Sequence, residues 1–143
     1  MRKTKRHAIF VVGVFFGLVL FQPVEANPPA EREAIRAANF WLALVDAGNY
    51  AKSWEAAAGY FKAAVQQEEW VESLTAVRKP LGRANYRTLK YKQFSTTLPG
   101  APDGEYIVIQ FTTHFENKTS AIETVTPMRD KDGKWRVSGY YIR

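Results

Sequence analysis

The 143-residue sequence contains no cysteine. That absence excludes a disulfide scaffold, a thiolate metal site, a cysteine nucleophile and a lipid-modified N-terminal cysteine. Histidine is almost as scarce, with His7 and His114 alone. There is no His-Glu-x-x-His zinc helix, no Gly-x-Ser-x-Gly nucleophile turn and no glycine loop ending in Lys-Ser/Thr to cradle phosphates. No metal and no cofactor is therefore expected. Internal repeats, linkers and low-complexity tracts are also missing. What remains is ordinary for a folded chain: 46% hydrophobic and 24% charged residues, with an aromatic share of 14% that can build a core without covalent staples. The length leaves room for one domain.

The first residues read as an address. Arg2, Lys3, Lys5 and Arg6 form a basic head, and no acid precedes Glu25. An apolar run follows from Ala8 to Phe21, then Val24-Glu25-Ala26 with small residues before a break. This is the layout of a secretory signal peptide. The run is short of the ~20 residues that a membrane-crossing helix needs. We expect a signal peptide over residues 1–26, cleavage after Ala26, and a single exported domain over residues 27–143, periplasmic or secreted, with no transmembrane segment after cleavage. Removing four bases and one acid leaves sixteen bases against thirteen acids, so the net charge falls from +6 to +3. A nucleic-acid binder carries a larger basic excess, and no nucleic-acid partner is expected.

In the remaining chain, helical periods come first and strand periods second. Pro28-Pro29 with Glu31 and Glu33 marks a helix start. Ile35, Ala38, Leu42 and Val45 recur at helical spacing beside Trp41, and Gly48 is a natural stop. A second helix from about Asn49 would place Tyr50, Trp54, Ala58, Phe61 and Val65 on one stripe. A third carries Trp70, Leu74 and Val77, with Pro80 ending it. After Gly82 the period changes. Tyr86 to Leu98 is rich in Thr, Tyr and Phe, as strands are. Glu105 to Glu116 alternates Ile107, Ile109, Phe111 and Phe115 against Tyr106, Gln110, Thr112 and His114. Ala121 to Arg129 and Lys134 to Arg143 follow, separated by the hairpin signal Asp132-Gly133. The predicted fold class is α+β: three N-terminal helices on a curved, mostly antiparallel four-stranded sheet.

This order of elements, with Trp41-Leu-Ala-Leu-Val-Asp46-Ala-Gly48-Asn-Tyr50 and the closing Asp132-Gly-Lys-Trp135-Arg-Val-Ser-Gly139-Tyr140, resembles the cone-shaped fold of nuclear transport factor 2 and ketosteroid isomerase. More narrowly, residues 41–54, 78–82, 98–106, 123–125 and 132–143 resemble the bacterial exported domain-of-unknown-function family 4019. The resemblance implies export and a cone-like fold, and it supplies no catalytic residue. It also implies pairing through the exposed sheet, where the strand Glu105 to Glu116 offers Tyr106, Val108 and Gln110. A homodimer is thus one expected partner arrangement. The others are a small molecule or a second protein, whose identity the residues leave open.

A lone strand histidine such as His114 is ordinarily a hydrogen bonder rather than a catalyst. Sites like that of ketosteroid isomerase use instead a carboxylate base and a tyrosine or neutral acid facing an apolar cavity. Glu105, Glu116 and Glu123, with Tyr50, Tyr106 and Tyr140, are the groups available for such chemistry, which would make the chain a cofactor-free isomerase, lyase or hydrolase. The competing expectation pairs these acids with Arg83, Arg87 or Arg136 across the sheet. An enzyme pocket would hold a buried, unpaired glutamate, whereas an interaction module would have its glutamates exposed or bonded to arginine. We expect the second, a non-catalytic ligand-binding or protein-interaction module. Its candidate ligand contacts are Trp54, Trp70, Tyr106 and Glu123. Between Arg78 and Lys92 six bases and no acid make Arg78, Arg83 and Arg87 candidate anion contacts. Strict alternation would split this patch, with Lys90 and Lys92 on one strand face and Arg87 and Tyr91 on the other.

Overall fold

Prolines 28 and 29 open the first helix, where their missing N–H groups would have had no intrahelical partner. The computed structural model describes residues 28–143; the leader expected over residues 1–26 lies outside them. Helix α1 spans Pro28–Asp46 and buries Ala34, Ala38, Trp41, Leu42 and Val45 along one stripe. Gly48 ends it at φ +76°, a left-handed conformation open to glycine. The expected second helix is two helices, α2 (Tyr50–Glu55) and α3 (Gly59–Ala64). Ala58 between them is extended, and its N–H donates to the Val137 carbonyl at 2.8 Å. The chain leaves the helix there to cap a strand edge. The Trp54 indole then clasps the two pieces by donating to the Val65 carbonyl at 2.7 Å.

Helix α4 spans Gln67–Leu81, with Pro80 inside its last turn, so Gly82 rather than Pro80 stops it. Its inward stripe also differs from expectation. Leu74 is buried, Val77 is exposed, and Arg78 takes the next inward position. Among the described residues four helices therefore precede the sheet, against the three expected.

Strands β1 (Ala84–Ser95), β2 (Tyr106–Phe115), β3 (Lys118–Arg129) and β4 (Trp135–Ile142) form an antiparallel meander in sequence order. The α+β class and the helices-then-sheet order are as read from the sequence. On β2 the buried residues Ile107, Ile109, Phe111 and Phe115 face the helices. They meet Val125 of β3, Val137 of β4 and the α1 stripe in one core. A side chain such as Trp41, 1% exposed, contributes about 3–5 kcal/mol to such a core relative to alanine.

β1 carries a bulge between Leu89 and Tyr91. One extra residue there reverses the alternation. Arg87, opposite Thr113, and Lys92, opposite Ile109, consequently share the helix-side face, correcting the expected split of the basic patch. No described helix is long and apolar enough to cross a membrane.

Candidate functional site

The four strands contain a single carboxylate, Glu123, and it faces the helices. Its register partners fix that orientation, since Glu123 sits opposite Phe111 on β2 and Ile142 on β4. The residue has no solvent exposure. Burying a bare carboxylate is prohibitive, so partners must surround it. Arg87 Nε donates to Oε1 at 2.6 Å and Arg87 Nη2 to Oε2 at 3.3 Å. The Thr113 hydroxyl donates to Oε1 and the Tyr140 hydroxyl to Oε2.

The arginine is shared. Arg87 Nη2 also donates to Asp46 Oδ1 at 2.7 Å, and its Nη1 to Oδ2. Asp46 ends α1, the wrong end of the helix dipole for an acid, and two cations hold it there. The second is Arg78, whose Nη2 donates to Asp46 Oδ1 at 2.9 Å. Arg78 is itself buried. Its Nε and Nη1 have no hydrogen-bond partner, while its guanidinium carbon lies 4.9 Å over the Phe115 ring centroid. The electron-rich ring face meets the cation in place of an oxygen. Two acids and two arginines leave this cluster neutral.

Its titration follows the geometry. Burial alone would raise the Asp46 carboxyl, but the bonds to Arg87 and Arg78 outweigh it and hold the group below the usual carboxylate range. Burial would lower the Arg87 guanidinium, and Asp46 and Glu123 instead hold it above its ordinary value. Burial, with Glu123 adjacent, pushes the Tyr140 hydroxyl well above 10.

Of the anion candidates, Arg78 and Arg87 are thus spent on internal acids. Arg83 lies apart and exposed, with Nε 3.4 Å from Asn85 Oδ1. Lys92 pairs with Glu31 on α1. Among the ligand candidates, Glu123 is the one that joins this cluster. Trp54 ties α2 to α3. Trp70 donates to Ser53 Oγ at 3.0 Å and packs edge-on against Phe61. Tyr106 is buried, with its hydroxyl donating to the Pro102 carbonyl. None of the three lines the cleft beside β4 described below.

Asp46 and Thr113 join the cluster without having been among the candidate residues. Asp46 left a signal, because it stands one turn beyond Leu42 on the apolar stripe. Thr113 stands midway between Phe111 and Phe115 in the alternating strand.

A family model described as "Protein of unknown function (DUF4019)" matches residues 37–140. The chain belongs to the DUF4019 family. No curated protein matches it, and no solved structure does. The matched span of this DUF4019 domain contains every member of the Asp46–Arg78–Arg87–Glu123–Tyr140 cluster.

Two surfaces remain. The outer face of the sheet carries no carboxylate at all. One row across it runs Tyr91, Gln110, Thr124 and Tyr141 in register, and a second pairs Tyr86 with His114. The His114 ring stacks on Tyr86 at 4.9 Å. Tyr86, Tyr91 and Tyr141 are 63%, 43% and 45% exposed. On the other side, a cleft of about 230 Å³ opens between α1, the α2–α3 break and the start of β4.

Proposed function

We propose that this DUF4019 domain is an exported, non-catalytic interaction module of the bacterial envelope, working through the outer face of its sheet with a second copy as partner. The observation that carries the reading is the commitment of Glu123. A general base needs a carboxylate open to substrate, and this one is enclosed by Arg87, Thr113 and Tyr140. Glu105 on the sheet margin pairs with Arg129, and Glu116 accepts from the Arg83 backbone N–H at 3.3 Å. These contacts favour the module over the isomerase, lyase or hydrolase alternative.

The outer face has the composition of an interface core, rich in tyrosine and poor in charge. Four strands of about ten residues give a face on the order of 600 Å² in plan, close to the ~800 Å² that each partner contributes to a standard interface. Tyr106 does not belong to it, being buried; Val108 and Gln110 do. The element order, helices followed by an antiparallel meander, supports the cone-like description. The basic, apolar and small-residue layout of residues 1–26 supports export.

Native mass spectrometry of the full chain expressed for export tests both halves. The expected species begins at Asn27 and has twice the mass of residues 27–143. A variant carrying Gln110→Glu and Thr124→Glu places like charges at the centre of the face and is expected to be monomeric. A wild-type monomer at ~100 μM, weaker than any interface of standard size, overturns the pairing. A product that begins at Met1 overturns export.

A further inference from the structure

The cleft beside β4 differs chemically from the sheet face. Its walls are apolar and aromatic: Phe40 and Trp41 from α1, Ala56 from the α2–α3 break, and Trp135 and Val137 from β4. Trp41 and Trp135 are 1% and 8% exposed, whereas Phe40 on α1 is 63% exposed. No acid lines the cleft; its two charged residues are Lys134 and Arg136. Arg136 is already engaged by Asp130 at 3.2 Å and Asp132 at 2.7 Å. Lys134 makes no ion pair among the described residues.

From this we infer that the cleft is a binding site for a small monocarboxylate with an aromatic or branched apolar body. Charge complementarity sets the head group. Lys134, which pairs with no carboxylate although the Asp132 charge reaches it, can meet a single negative charge, whereas the Arg136 charge is already matched by Asp130 and Asp132. The walls set the body. They offer rings and methyl groups with few hydrogen-bonding partners, so a dianion or a sugar would be desolvated without compensation. The volume sets the size. About 230 Å³ falls below the ~300–1,000 Å³ of sites for drug-sized ligands and admits a single ring with a short acid arm. Such a ligand would cover Phe40, one of the apolar residues that the fold leaves exposed.

The probe is 3-phenylpropionate, with 3-phenylpropanamide as its neutral counterpart, titrated into the mature chain and followed by amide and indole NMR shifts. The expected result is saturable binding with Kd on the order of 1 mM. The shifts should centre on Phe40, Trp135 and Lys134, and the amide should bind about fivefold more weakly. Lys134→Gln is expected to bring the acid down to the amide's affinity, and Phe40→Ala to weaken both. Both positions are exposed, so each variant keeps the fold. Arg83→Gln, remote from the cleft, should change nothing. No saturable shift up to ~10 mM, equal binding of acid and amide, or shifts that map away from these residues overturns the proposal.

Discussion

At residue 123 a carboxylate without solvent contact persists because four donors from three side chains converge on it. The energy of such a group lies mainly in what happens when a partner is lost. Removing one side of a buried pair typically costs about 3–5 kcal/mol, while exchanging both for apolar groups is often neutral. In this cluster Arg87 keeps Asp46 when Glu123 is lost, which softens the penalty. Glu123→Gln is expected to destabilise by about 2–4 kcal/mol, read as a lower urea midpoint at pH 7 with an unchanged slope. Glu123→Leu combined with Arg87→Leu should recover part of that loss, though Asp46 then relies on Arg78 alone. A single variant within ~0.5 kcal/mol of wild type would place Glu123 in the neutral surface class and refute the network as a structural element.

At the scale of elements, the joints decide the geometry. Gly82 connects α4 to β1 at φ +72°, and a Cβ there would lie 2.9 Å from Glu116 Cβ and Oε2. Gly48 has a similar φ, +76°, with nothing within 4 Å. Both positions carry a positive-φ backbone penalty in Gly→Ala, about 1–3 kcal/mol, but Gly82, with ψ −157°, lies where essentially only glycine goes and adds a steric clash. Gly82→Ala should therefore lower stability about twice as much as Gly48→Ala in thermal unfolding of the two variants; equal losses would show that Glu116 yields without cost. The joints also mark what was legible in the sequence. The change of period at Gly82 was visible, and with it the α+β class and the four strands. The α2–α3 break was not, because it depends on a bond from Ala58 to Val137, 79 residues away. The β1 bulge was equally hidden, since it reverses an alternation that local pattern assumes. Arg78 read as surface because bases usually are. Only the tertiary placement of Asp46 and Phe115 makes its burial tolerable. Glu123 and Arg87 were both singled out, yet their union was one of several pairings the residues allowed.

For the whole molecule, the Asp46–Arg78–Arg87–Glu123–Tyr140 cluster sets limits on stability at both ends of the pH scale. Asp46 has a folded-state pKa below its unfolded value of 3.8. The folded protein therefore binds that proton less readily, and the stability gained is present above the unfolded pKa. It is lost as pH falls through the folded value, so the acid limb lies below about pH 4. Tyr140 has the opposite sign. Its folded pKa lies well above 10, so its contribution is intact below the unfolded value and disappears as pH rises toward the folded one. Urea unfolding measured across pH should show a plateau between these limits. Asp46→Asn should be less stable on the plateau and flatter below pH 4. Tyr140→Phe should flatten the alkaline limb above pH 10 while leaving the acid limb in place. Tyrosinate absorbance gives an independent reading. Tyr140, buried beside Glu123, should ionise only as the protein unfolds. Ionisation of every tyrosine before the loss of secondary structure would show that Tyr140 is open to solvent and that the cluster is not closed.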